Sequence, residues 1–189
     1  MSGRTSSPTP PGTRLLLAWQ REGASEALDQ LFALLYDELL VMAERQQGAA
    51  VTLDAQALVH EAYLRLVNAD AVQVSDRAHF LALASRVMRQ VTINYAKRKA
   101  RQKRGGRWLP VTLQHFHSAT QSPIDTLLTL DAGLAELSAK SERMAQVAEY
   151  KLFGGLETKE IACVLETSGR TVEREWTRAK AYLVVWMGA

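Results

Sequence analysis

Three arginines at helical spacing are the residues of this chain best suited to binding another molecule. Arg170, Arg174 and Arg178 recur at every fourth position, so a helix would place them on one face, with Thr171 beside them. Guanidinium groups bind DNA phosphates and guanine edges, and a row of them fits the major groove. The row therefore indicates duplex DNA as its ligand. An ordinary helix with a solvated basic face remains the alternative.

The segment around these arginines has the pattern of a helix-turn-helix. A short helix from Thr158 to Leu165 precedes a break, and Ser168 is a residue type that caps a following helix. In that second helix the apolar residues form one stripe at helical spacing, Val172, Trp176, Ala179 and Leu183. A buried stripe on one face would leave the arginines exposed on another.

A second concentration of positive charge lies at residues 97–107. This run holds seven basic side chains and no acid, whereas the whole chain has a net charge of +3, so the remainder carries −4. A basic cluster on an otherwise mildly acidic protein indicates a surface that binds a polyanion. A solvated linker is the competing interpretation.

Composition favours a helical protein. The chain has 189 residues, of which 47% are hydrophobic and 23% charged, and glycine and proline are sparse outside residues 1–12 and 105–123. The single cysteine, Cys163, is predicted to be a small core residue and cannot form an internal disulfide. The sequence shows neither a bilayer-spanning apolar run nor a secretory signal, so we expect a cytoplasmic protein.

The apolar pattern predicts an all-α fold with two small helical domains joined by a flexible linker. We expect a disordered tail at 1–12, a helical bundle at 13–101, a linker at 102–123 and a second helical domain at 124–187. Three stripes should form the core of the bundle: Leu28, Leu31, Phe32, Leu35, Leu39 and Met42; Leu58, Ala62 and Leu66; and Phe80, Leu83, Ala84, Val87 and Val91. In the second domain, helices should cover Leu127 to Leu137 and Ser141 to Phe153, and Gly154-Gly155 should stop the latter.

This order of elements resembles a bacterial RNA polymerase sigma factor of the extracytoplasmic-function (ECF) group over roughly residues 13–187. Four segments carry the resemblance, namely Tyr36 to Ala43, Ala57 to Leu66, Asp76 to Arg98 and Phe153 to Trp176. The resemblance implies a transcription initiation factor that binds core RNA polymerase and directs it to promoters. It implies no enzyme activity and no cofactor.

The resemblance also implies the contact residues. The melted strand of the −10 element would meet Arg86, Arg89, Asn94, Lys97, Arg98 and Arg101. The −35 duplex would meet Arg170, Thr171, Arg174 and Arg178. Core polymerase would meet the helix at 54–67 through Asp54, Ala57, Leu58, His60 and Glu61.

The chain departs from the family pattern at three places. Glu166 occupies the helix-turn-helix turn where the family usually has glycine, so a strained or differently shaped turn is expected. Glu173 and Glu175 place acids among the arginines, where they could read cytosine, orient the arginines or simply face solvent. Ala57 stands where the polymerase-contacting helix usually carries an acid.

The missing acid suggests regulation at Thr52, just before that helix. A phosphate on Thr52 would add about −1.5 to −2 charge close to a helix N-terminus, which favours anions. The resemblance thus allows control by a Ser/Thr protein kinase, as in some groups of this family, or by an anti-sigma protein. Alternatively, the Thr52 hydroxyl merely helps to cap the helix.

No enzymatic or metal chemistry is predicted from the remaining motifs. His60-Glu61 begins like a zinc-protease helix, but position 64 is a leucine, and His115 and His117 stand in the linker without ligand-type neighbours. Two other functions stay open: a free-standing helix-turn-helix regulator that binds duplex DNA without polymerase, and a module that only contacts proteins.

Overall fold

The computed structural model describes residues 11–22, 25–47, 54–68, 74–103 and 122–188. Within these ranges the fold is all-α, as predicted, with nine α-helices, one π-helical turn and no strand. No helix in the same ranges combines the length and the apolarity that a bilayer crossing would need.

Five helices form the N-terminal part of the structure. They are α1 (Pro11–Glu22), α2 (Ser25–Leu34), α3 (Tyr36–Gln47), α4 (Ala55–Val67) and α5 (Arg77–Lys103). Helix α1 already starts at Pro11, where proline is favoured because the first helical amide has no partner anyway. The predicted tail at 1–12 stays a prediction, and residues 1–10 lie outside the described ranges.

The C-terminal part has four helices and a widened turn. They are α6 (Pro123–Lys140), α7 (Glu142–Glu149), the π-helical turn Tyr150–Gly154, α8 (Thr158–Val164) and α9 (Gly169–Met187). The helix predicted for 141–153 thus ends as a π-helix, which the apolar spacing did not indicate. Gly155, with φ of 64°, ends this turn in the left-handed conformation, so the predicted stop is confirmed.

The predicted stripes form the core. Leu28, Leu39, Leu58 and Phe80 are almost fully buried, and the other stripe residues are buried or pack on the same cluster. The prediction that Cys163 is a core residue is wrong, because this residue is exposed. Helix α8 buries Ile161, and a residue two positions further on a helix points away from that face.

The two helical groups share buried contacts. Val147, Tyr150, Leu156, Ile161 and Val172 belong to the same apolar cluster as α1–α5, while a second cluster joins α6, α7 and α9. Residues 104–121 lie outside the described ranges, so the flexible linker and the domain boundaries stay predictions. Because the first cluster contains buried residues of both groups, the C-terminal helices pack directly on the N-terminal bundle.

Candidate nucleic-acid interface

The arginine row lies on α9 as the sequence predicts. Ser168 Oγ accepts a hydrogen bond from the Thr171 amide at 3.2 Å and caps the helix. Val172, Ala179 and Leu183 are buried on one face, and Trp176 is half-buried. On the other side the three arginines of the row, Arg170, Arg174 and Arg178, are all exposed.

One acid of α9 holds two arginines in place. Glu175 is only 7% exposed, and its carboxylate lies 3.2 Å from Arg174 Nη2 and 3.6 Å from Arg178 Nη1. The solvent-facing interpretation is therefore wrong for Glu175, which contacts Arg174 and Arg178. Glu173 is exposed, and its carboxylate accepts a hydrogen bond from Thr158 on α8.

The turn between α8 and α9 has an unusual backbone. Glu166 has a φ of 46° and is the one non-glycine residue with positive φ in the described ranges. The left-handed conformation costs an L-residue about 1–2 kcal/mol. Hydrogen bonds from the Thr167 amide to the Ala162 carbonyl and from the Glu166 amide to the Cys163 carbonyl hold the turn closed, at 2.9 and 3.2 Å. The expected strain at this position is thus confirmed.

The polar side chains of α5 differ in their exposure and in their contacts. Arg86, Asn94, Lys97, Arg98 and Arg101 are exposed. Arg89 is only 19% exposed, because its guanidinium lies 2.6 Å from Asp131 Oδ1 on α6 and 3.0 Å from Glu149 Oε1 on α7. The second Asp131 oxygen lies 3.3 Å from Lys97 Nζ.

Sequence reasoning missed these carboxylates, because nothing in the local pattern distinguishes Asp131 or Glu149 from solvated acids. Phe153 completes the environment of Arg89, since the guanidinium carbon lies 5.2 Å from the centre of its ring. Burial raises the pKa of the neighbouring Tyr150 hydroxyl, and the Arg86 guanidinium partly offsets that effect.

Polar contacts also connect α3 and α5 with the C-terminal helices. Arg77, at the start of α5, pairs with Glu38 on α3 and, at 2.8 Å, with Glu160 on α8. Buried Gln46 donates from Nε2 to the carbonyls of Ser85 and Phe153, at 3.2 Å each. The two helical groups are thus joined by directional contacts as well as apolar ones.

Asp76, His79 and Cys163 place their ligand-type atoms within 4.8 Å of one another, the one such group in the part of the chain that the structure describes. Asp76 Oδ1 accepts the His79 amide at 3.0 Å, and Oδ2 lies 3.2 Å from His79 Nδ1 and 3.4 Å from Cys163 Sγ. Hydrogen bonds account for each of these contacts. We therefore assign a structural role to this group: Asp76 caps the start of α5, and its contact with Cys163 joins α5 to α8.

These contacts shift the acid–base behaviour of two groups. Burial alone would raise the pKa of Asp76, but hydrogen bonds from His79 and Cys163 outweigh it and hold the pKa below its usual value. Partial desolvation of the thiol, followed by the hydrogen bond to Asp76, raises the pKa of Cys163. Cys163 therefore stays protonated at neutral pH, unlike a reactive thiolate.

Helix α4 presents a different kind of surface. Its exposed side carries Ala57, His60, Leu64 and Val67 at helical spacing, and Leu64 and Val67 are 42% and 40% exposed. The predicted contact of Leu58 with polymerase stays a prediction, and the side chain is buried, at 1% exposed. Its place on the buried stripe already indicated as much.

The start of α4 is poor in negative charge. Asp54 is exposed at the N-cap, but its side chain makes no capping hydrogen bond, and the first turn contains no acid. Glu61 is committed to Arg65 at 3.1 Å. Thr52, the predicted phosphorylation site, lies outside the described residues.

The fold and the exposed row define a helix-turn-helix protein with a second, N-terminal helical bundle. Residues 13–187 match the family model described as ECF sigma factor, which covers nearly the whole chain. The chain therefore belongs to the ECF sigma factor family, whose members are transcription factors and not enzymes. It matches no curated protein.

Proposed function

We propose that the chain directs core RNA polymerase to specific promoters, with α9 reading the −35 duplex and α5 holding the melted −10 strand. The exposed arginine row of α9 carries this proposal. The opposite face of α9 is buried, Ser168 caps its first turn, and Glu175 contacts two of its arginines. Such preorganisation suits base-edge contacts, because little side-chain freedom is lost on binding.

The N-terminal bundle supplies the second DNA contact in this proposal. Four exposed side chains, Arg86, Asn94, Arg98 and Arg101, extend along α5 and can follow a single-stranded phosphate backbone. The positive run continues to residue 107, beyond the part of α5 that the structure describes. Engagement of a strand here also requires Arg89 and Lys97 to leave their carboxylates.

Core polymerase would dock on the exposed side of α4. Leu64 and Val67 form the apolar part of an exposed stripe with Ala57 and His60, and exposed apolar patches mark protein contacts. Asp54 and Glu61 flank the stripe with the few acids available. A factor that works with polymerase would act in the cytoplasm.

Phosphorylation of Thr52 would strengthen this docking surface. The first turn of α4 has no acid, and Glu61 is already paired with Arg65, so the surface has little free negative charge for a basic partner. A phosphate would add about −1.5 to −2 charge near the helix N-terminus. A Ser/Thr kinase is then the regulator that the proposal requires.

The test measures binding of core polymerase to the unmodified chain, the kinase-treated chain, Thr52→Ala and Thr52→Glu. We expect the treated chain to bind at least about tenfold more tightly, a difference of about 1.4 kcal/mol. Thr126 is exposed on α6, so Thr126→Glu is the matched control and should bind like the unmodified chain.

Two results would contradict different parts of the proposal. Equal binding by unmodified and phosphorylated chains would refute the switch at Thr52. Failure of every form to bind core polymerase, together with stable binding to duplex DNA alone, would favour the free-standing regulator instead.

A further inference from the structure

We infer that the C-terminal helices act as an internal competitor for promoter DNA. In the structure, Asp131 and Glu149 present carboxylate oxygens to the α5 cations that a melted strand would bind. This inference rests on the proposed role of α5 and adds a regulatory step to it. In the free protein, Asp131 and Glu149 therefore occupy the cations to which DNA would bind.

Arg89 shows the competition most directly. Two of its guanidinium nitrogens meet oxygens of two different carboxylates, at 2.6 and 3.0 Å, as they would meet phosphate oxygens. Both acids are themselves mostly covered, with side chains 22% and 14% exposed. A DNA phosphate therefore cannot reach Arg89 unless the acids move away.

Asp131 neutralises a second cation on the same helix. One of its oxygens contacts Arg89 and the other lies 3.3 Å from Lys97 Nζ, so a single carboxylate bridges two cationic side chains whose backbone positions lie about 12 Å apart along α5. Arg86, Arg98 and Arg101 remain exposed. The competitor thus covers Arg89 and Lys97 and leaves Arg98 and Arg101 available for a first encounter with DNA.

The closed arrangement has the features of a contact that can open. Arg89 Nε is buried without a hydrogen-bond partner among the described residues, and so are Ser85 Oγ and Gln46 Oε1 nearby. Burying unsatisfied polar atoms costs free energy, and a covered ion pair adds little net stability. Phosphates that offer the same cations equivalent oxygens can therefore displace the carboxylates.

The test uses the full chain with both acids replaced by isosteric amides, Asp131→Asn with Glu149→Gln. We expect about tenfold tighter binding of a fluorescent single-stranded oligonucleotide of random sequence, which corresponds to a wild type that is open about one tenth of the time. Small-angle X-ray scattering should show a larger radius of gyration for this variant. Asp131→Asn alone should give most of the effect, because Asp131 contacts both cations.

The matched control removes two exposed acids from the same helices, Glu136→Gln with Glu142→Gln. Its net charge changes equally, so an equal gain in affinity would overturn the inference. So would a double amide variant with the affinity and radius of the wild type. Expansion without tighter DNA binding would support the internal contact and contradict the proposed DNA-binding role of α5.

Discussion

Arg174 is the single residue whose role in sequence recognition is easiest to test. Arg174 is exposed on the arginine-bearing face of α9, and its guanidinium contacts Glu175, as expected for a side chain that reads a base. We predict that Arg174→Ala relaxes the −35 preference by about 1–3 kcal/mol at one base pair, whereas removal of a phosphate-binding side chain would weaken all sequences alike. Selection from a randomised −35 library, in the presence of core polymerase, measures the difference.

The control for Arg174 is an exposed arginine away from the row, Arg143→Ala on α7. Its selected sequences should be those of the wild type. An unchanged preference in Arg174→Ala would remove this residue from the base-reading set.

Glu166 permits a test of stability at the turn. With φ of 46° it has a backbone conformation that glycine adopts without steric strain. We predict that Glu166→Gly stabilises the protein by up to about 1 kcal/mol, because relief of the left-handed strain exceeds the entropic cost of glycine. Urea unfolding of Glu166→Gly beside Glu166→Ala checks this, since alanine retains the strain and should bring no gain.

Side-chain positions were predictable from the sequence where periodicity decides them. Ser168, the buried stripe of α9 and its exposed arginines lie as predicted, because capping and the 3.6-residue period act locally. Cys163 was assigned to the core by its apolar neighbours, and that assignment was wrong. Its helical phase relative to the buried Ile161 gave the better indication.

At the scale of elements, the positive end of α5 should track a phosphate backbone. We predict that glutamine at Lys99, Arg101, Lys103 and Arg104 weakens open-complex formation and lowers its salt dependence. The slope of log K against log salt should fall by about 0.7 for each single-strand phosphate that is no longer neutralised, or about 3 if all four residues contribute. An unchanged slope would mark the segment as a solvated linker.

The start of α5 should make stability depend on pH. Asp76 accepts the His79 amide, and Asp76→Ala should cost about 1 kcal/mol at neutral pH through loss of the cap. Because the pKa of Asp76 is lowered in the folded state, its charge contributes stability above the unfolded-state pKa of about 3.9, and this contribution disappears as pH falls through the lower folded value.

The comparison with Asp76→Asn isolates this charge, since asparagine also caps helices. Urea unfolding from pH 7 to pH 3 should show a wild-type advantage over Asp76→Asn that is constant above about pH 5 and shrinks below about pH 4. A difference that does not vary with pH would contradict the assignment to the carboxylate.

Helix existence was predictable, but some helix ends were not. The π-helical turn at Tyr150–Gly154 packs on α3 and α5, and Gln46 of α3 donates a hydrogen bond to the Phe153 carbonyl. Gln46 and Phe153 are separated by 107 residues in the chain, so a local sequence window cannot contain both.

At the scale of the whole molecule, the packing of the two helical groups was beyond sequence reasoning. Arg89 lies 42 residues from Asp131 and 60 from Glu149, and their pairing depends on how the groups dock. The sequence predicted cations on α5 and an acidic remainder, but not that they would meet. In the structure, cations of α5 and carboxylates from the mildly acidic remainder of the chain form one internal contact.

The central claim is that this chain gives core polymerase its choice of promoter. The most direct measurement sequences the 5′ ends of transcripts that purified core polymerase makes in vitro from the host's genomic DNA, with and without the kinase-treated chain. We predict a new set of start sites that share two upstream sequence blocks, and loss of the shared −35 block when Arg174→Ala replaces the wild type. Identical start sites with and without the chain would contradict the claim.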